Sequence, residues 1–226
     1  MSIRKGKKIT VENEGSPFEA YFVESENSNN GLIIIQEWWG LVDHIRDVAD
    51  RFNLEGFNTI APDLYYGKQT DEPTLAQKYM MELNVENAMN NLKSSIKFLN
   101  KKGIDRISSI GFCMGGGISL YAASIEIVDS AVSFYGVLPN ANVKYENIKC
   151  PIQGHYAEHD GATESVEEIE NILTSTNLIF GLRLYSDSKT LIMLSTKSIF
   201  VISLLPPMLN LSALISFLCN SMIIFV

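Results

Sequence analysis
The sequence predicts an α/β protein: a mostly parallel sheet flanked by helices, followed by an aberrant C-terminal segment. Three observations predict it. Short apolar and β-branched runs alternate with stretches of helical spacing, the pattern of a sheet built by crossovers. One run, Gly31-Leu32-Ile33-Ile34-Ile35, is continuously apolar, as a strand buried on both faces must be. Another, residues 106–110, stops at Gly111 and passes through Cys113 and Gly115 into a helix-compatible stretch. That is the glycine–nucleophile–glycine pattern of a strand-to-helix elbow.

Each element follows from local chemistry. Residues 8–11 and 19–23 alternate as strands do, and Gly15-Ser16-Pro17 between them is a turn signal, so an antiparallel hairpin leads the chain. Residues 42–54 carry Ile45, Val48, Ala49 and Phe52 at helical spacing, and Gly56 stands where a helix stop is expected. Residues 59–61 form the next strand, closed by Pro62. A long helical region runs from Asp71-Glu72-Pro73 to about Lys101, with a break expected near Asn84. After the strand at 106–110 and the elbow helix at 115–125, residues 131–135 and a segment starting at Cys150 read as further strands. A helix is expected over 164–174.

Composition narrows the function. A net charge of −8 and a pI near 4.9, with no basic stripe, argue against a nucleic-acid partner. The three cysteines, Cys113, Cys150 and Cys219, form no disulfide framework or paired metal motif, which suits a reducing, cytoplasmic setting. No secretory signal, nucleotide, flavin or metal motif is visible, so no cofactor is expected.

In open α/β sheets, sites lie beyond the carboxyl ends of strands. Cys113, Glu37 and the segment His155 to Asp160 fall at such ends. Glycines beside Cys113 remove the Cβ clashes of a tight elbow, and the helix start favours thiolate. Glu37 reads either as a solvated strand-end carboxylate or as a partly buried acid answering the thiol. Asp160-Gly161 reads either as a plain turn or as the orienting carboxylate of a triad.

Five segments then stand in order: Gln36-Glu37-Trp38-Trp39-Gly40, Ala61-Pro62-Asp63-Leu64-Tyr65, Gly111-Phe112-Cys113-Met114-Gly115-Gly116, Phe134-Tyr135-Gly136-Val137 and Glu158-His159-Asp160. Together they resemble the dienelactone hydrolase family of the α/β-hydrolase superfamily over about residues 5–176. The resemblance implies an α/β-hydrolase domain over 1–176 and a divergent apolar tail over 177–226 in place of the family's last strand and helix. It implies Cys113 as nucleophile, Asp160 as triad acid and Glu37 as the glutamate that contacts the resting thiol. It also implies an oxyanion hole from the backbone N–H groups of Trp38 and Met114, and a monomer acting on a small ester or lactone. Trp39, Tyr65, Tyr79 and Tyr135 then line the substrate pocket, with core packing as the alternative for each. Family members acting on dienelactones hold a substrate carboxylate with arginines, and residues 74–79 have none, so a broader ester or lactone class is expected.

The pattern departs from the family at one chemical group. The resemblance calls for a histidine after the last strand, yet the chain has only His44, His155 and His159. Thr190 stands near the expected place and cannot take a proton from a thiol. His159 neighbours Asp160, but alternation along an extended chain points the two apart. A chain without the base is an impaired hydrolase, a non-catalytic relative that binds small ligands, or a redox-sensing thiol protein.

Residues 198–226 carry no charge and have Pro206-Pro207 in their middle. They are long enough for a membrane anchor, but paired prolines and few basic flanks oppose that reading, and no strand or helix period supports a buried core segment. A shifted reading frame ranks first. Ile192-Met193-Leu194-Ser195-Thr196 can be encoded so that another frame reads His-Ala-Phe, the missing family stretch. Sequencing the gene and its transcript across codons 171–196 tests this, and an intact frame there excludes it.

Overall fold
The computed structural model describes residues 5–157, except 14, 27, 137, 139 and 140, together with the backbone of 180–185. Eight strands form one sheet among these residues, in the order β1-β2-β4-β3-β5-β6-β7-β8. β1 (Lys7–Val11) and β2 (Phe18–Val23) make the leading hairpin. β2 also pairs antiparallel with β4 (Asn58–Pro62). From β4 onward every pairing is parallel, through β3 (Asn30–Ile35), β5 (Arg106–Phe112), β6 (Ser130–Phe134), β7 (Ile152–Ala157) and β8 (Phe180–Tyr185).

The period of two in β3 sorts its side chains between two cores. Leu32 and Ile34 join Ile45, Val48 and Phe52 of α1 (Asp43–Leu54) on one face. Ile33 and Ile35 join Leu92 and Leu99 of α3 (Val85–Lys101) and Ile118 of α4 (Met114–Ser124) on the other. A strand covered on both faces cannot carry polar side chains without partners, which explains the unbroken apolar run in the sequence.

The long helical region is two helices, α2 (Pro73–Glu82) and α3. Asn84 makes the break: it adopts extended backbone and its side chain accepts from the Asn87 N–H at 2.9 Å, capping α3. α1 ends at Glu55 with Gly56 following at φ +95°, the left-handed stop that glycine permits.

Three boundaries differ from the sequence reading. β7 continues to Ala157, so His155 lies within the strand rather than beyond its end. β6 stops at Phe134, and Tyr135 leaves the sheet at φ +41°. β8 was not read as an element at all; it falls in the stretch assigned to the divergent tail, and it pairs in parallel with the whole of β7. Its composition, Phe180-Gly181-Leu182-Arg183-Leu184-Tyr185, is that of a strand. Among the described residues no helix is long and apolar enough to cross a membrane. The expected helix at 164–174 and the apolar segment 198–226 lie outside the described residues.

Candidate active site
Cys113 stands between β5 and α4 as the N-cap of that helix. Its backbone lies at φ +55°, ψ −124°, a region ordinarily left to glycine. A non-glycine residue there costs about 1–3 kcal/mol and persists only where its surroundings impose it. Three hydrogen bonds do so. Cys113 N–H donates to the Phe134 carbonyl at the end of β6 (3.0 Å), while Gly116 and Gly117 N–H donate to the Cys113 carbonyl (2.9 and 3.3 Å). The strand end and the helix start pass so closely that a Cβ on Gly111 would lie 1.9 Å from the Gly115 carbonyl oxygen. A Cβ on Gly115 would lie 2.5 Å from the carbonyl oxygens of Ile35 and Gln36. The glycines are therefore required by backbone against backbone, as the motif implied.

α4 has no charged residue, and nearly all of it is buried, including Met114 at its first position. A first-turn residue has no intrahelical acceptor for its N–H. Met114 N–H is thus a donor held at the edge of the cysteine, with the positive end of the helix dipole behind it. Cys150 is a different thiol: half-buried before β7, it is pushed up to about 11, mainly by burial, with Asp129 and Glu126 adding to the shift.

Glu37 follows β3 and is buried, 6% exposed. Burial raises its carboxyl above the ordinary range, and a 2.7 Å hydrogen bond from the Tyr135 hydroxyl to Oε1 partly offsets this. Its Oε2 has no hydrogen-bond partner among the described residues. Tyr135 is expected from the sequence as a pocket wall; in the structure its hydroxyl holds Glu37. Its own place is fixed by its N–H, which donates to the His155 carbonyl at 2.7 Å.

Two loops are sewn together around the site. After β3, Trp38 and Trp39 meet edge to face with ring centroids 5.0 Å apart. After β4, the Asp63 carboxylate accepts from Tyr65 N–H (3.0 Å) and Gly67 N–H (2.7 Å), while Gln36 Oε1 accepts from Leu64 N–H (3.2 Å). Thr70 N–H donates to the Trp39 carbonyl at 3.1 Å, closing the seam. Asp63 and Gln36 stand within the sequence motifs, which assign them no role. An Asp directly after a strand-closing proline and before a glycine-containing turn was the available signal.

This turn delivers Tyr65 to the elbow. Tyr65 is 6% exposed, its hydroxyl donates to the Met114 sulfur at 3.2 Å, and its ring meets Tyr79 of α2 edge to face at 5.6 Å. Burial pushes the Tyr65 phenol far up, and the Cys113 sulfur adds to the shift as an electrostatic neighbour. The structure therefore brings together Cys113, Met114 and Tyr65, and separately Glu37 with Tyr135. Asp160 and His159 lie outside the described residues.

Of the other histidines, His155 is buried on the α1 side of the sheet. It is stacked on Phe134 at 4.3 Å, and Phe134 stacks in turn on Phe112 at 5.1 Å. His44 lies in the first turn of α1, where burial favours its neutral form.

A model of the dienelactone hydrolase family matches residues 18–189. "Protein usf" of Aquifex pyrophilus is 34% identical over 177 residues, covering 73% of this chain and 76% of its own length. A protein of Aquifex aeolicus named as a candidate carboxymethylenebutenolidase is 30% identical over 177 residues, with the same coverage of 73% and 76%. Among solved structures, a candidate dienelactone hydrolase of Klebsiella pneumoniae matches at a TM-score of 0.72 and 24% identity, over 81% of this chain and 85% of that one. The dienelactone hydrolase of Anabaena variabilis matches at 0.61 and 16%, over 81% and 88%. At these identities the solved structures establish the shared fold.

Proposed function
This chain belongs to the dienelactone hydrolase family and is a hydrolase of that type, and we propose that it cleaves small esters or lactones through Cys113. The observation that carries the proposal is the Cys113 backbone, held at φ +55° at the start of α4. A thiol has no packing reason to occupy a strained elbow; display of a nucleophile is such a reason.

In the proposed reaction the Cys113 thiolate attacks the carbonyl carbon. A carbon–sulfur bond forms, and the carbonyl π pair moves onto oxygen. The N–H groups of Trp38 and Met114 receive that oxyanion, each donor of this kind contributing about 2.7–4 kcal/mol in acyl transfer. Collapse expels the alcohol oxygen, which takes up a proton, and leaves a thioester on Cys113. Glu37, as its carboxylate, is proposed to take the thiol's proton when substrate binds and to return it to the departing alcohol oxygen. Asp160 is proposed as the orienting acid.

Water must then attack the thioester, and this step needs a base. The sequence offers no histidine after β8, and His155 is fixed in an aromatic stack. We therefore expect acylation without efficient turnover. Incubation with p-nitrophenyl acetate, followed by intact-protein and peptide mass spectrometry, is expected to show one acetyl group on Cys113 that persists after excess ester is removed. Cys113→Ala should abolish the adduct. Sustained turnover without accumulating adduct would refute the loss of the base.

A second reading, ligand binding without chemistry, is favoured only if Cys113 takes no acyl group while the folded protein binds esters saturably.

A further inference from the structure
A cleft of about 200 Å³ that the reaction above does not use lies between the turn after β4 and the α2–α3 break. Tyr65, Tyr66, Tyr79 and two leucines line it together with Lys68, Glu82 and two asparagines, and the Lys68 ammonium lies 5.4 Å from the centroid of the Tyr79 ring. Tyr65 links this cleft to the elbow. It lines the cleft, its ring meets Tyr79, and its hydroxyl ends on the sulfur of Met114, the residue next to Cys113.

We propose that Tyr65 is a specificity-determining partition, which separates the cleft from the nucleophile and restricts the enzyme to substrates with a short arm on the Met114 side. The proposal rests on the hydrolase reading of Cys113.

Three features make the partition firm. The Asp63 carboxylate fixes the turn on both sides of Tyr66 through the N–H groups of Tyr65 and Gly67. Tyr66 and Gly67 are both in the left-handed region, at φ +53° and +91°, so the chain reverses sharply and turns Tyr65 inward while Tyr66 stays half exposed. Buried aromatic rings in edge contact resist displacement by a ligand. An apolar arm that reaches Tyr65 therefore meets a wall, although a partly apolar cleft lies behind it. Removing the ring should open that cleft to the arm, and each methylene that then enters apolar surroundings should gain about fourfold in rate.

The test uses the whole chain and reads the rate of Cys113 acylation by mass spectrometry, which does not depend on turnover. Two ester series serve, one lengthening the acyl group at constant alcohol and one the alcohol at constant acyl group. The unsubstituted protein, Tyr65→Phe, Tyr65→Leu and Tyr65→Ala are compared. The unsubstituted protein is expected to lose reactivity beyond a short chain. Tyr65→Phe keeps the ring and should keep that profile. Tyr65→Ala, and to a lesser degree Tyr65→Leu, should shift the optimum by several carbons in at least one series.

Circular dichroism reports that each variant is folded, and alkylation of Cys113 by iodoacetamide, which forms no oxyanion, reports that its thiol is accessible. Tyr65→Leu covers the case in which Tyr65→Ala fails to fold. An unchanged length profile in both series, with alkylation intact, overturns the partition. A parent protein that is alkylated but never acylated overturns the hydrolase reading, and this proposal with it.

Discussion
At the scale of single residues, the site is governed by what a Cβ, a proton or a hydroxyl would meet. Gly115→Ala puts a methyl group 2.5 Å from two carbonyl oxygens on the β3 end. Neither backbone can yield without moving the sheet, so a loss of about 1–3 kcal/mol or more is expected in urea unfolding. Glu37 gives a pH signature. Burial raises its folded pKa above the ordinary value of 4.5, so above that value the native state binds more protons than the unfolded chain. Stability from this group is therefore full at pH below that ordinary value and is lost as pH rises through the raised pKa. Glu37→Gln should remove that loss, and parallel unfolding curves of the two proteins between pH 4 and pH 8, or about that window, would show the difference growing with pH. A constant difference would place the native carboxyl at its ordinary pKa. These residues were legible as types but not as partners. Cys113 and Glu37 stood out beside glycines and at strand ends, whereas the bond from Tyr135 to Glu37 joins positions 98 apart in sequence and has no local signal.

At the scale of elements, local rules were sufficient where the chain's own neighbours decide. The break between α2 and α3 is an N-cap by Asn84, which needs only Asn87 three residues on. Asn84→Ala should cost about 0.5–2 kcal/mol in chemical denaturation, with Asn84→Ser close to neutral. Equal losses for both substitutions would show that the side chain does something other than cap. Strand ends were read less well. β7 extends past His155 because β8 pairs along its whole length, through Ala157 with Tyr185. β6 ends at Phe134 because Tyr135 turns to φ +41° there: its N–H still makes the ladder bond to the His155 carbonyl, while its hydroxyl reaches Glu37. In both cases the boundary is set by another strand or by a side chain far along the sequence.

At the scale of the whole molecule, the sheet brings the ends of β3, β4, β5 and β6 to one edge, where Glu37, Tyr65, Cys113 and Tyr135 follow them. The proposed lack of a base belongs to this scale, because the resemblance places that base in the chain after the last strand. Chemical rescue tests it: imidazole in solution should accelerate release of the acyl group from Cys113 in proportion to its concentration, and Cys113→Ala should show only the uncatalysed rate. Steady turnover that imidazole does not change would show that a residue of the chain already acts as the base.

The sequence by itself determined the fold class and the elbow. Both are written in short-range terms: apolar runs with periods of two or 3.6, and glycines on either side of a nucleophile. It also determined that histidine is scarce, since a count needs no geometry. Only the tertiary structure decided which side chains meet. It assigned Tyr135 to Glu37 and Tyr65 to Met114, and it placed Asp63 under the turn that presents Tyr65. The physical reason is that a parallel sheet joins strand ends that are tens of residues apart. Contacts there are fixed by strand order and register, which no local pattern of residues encodes.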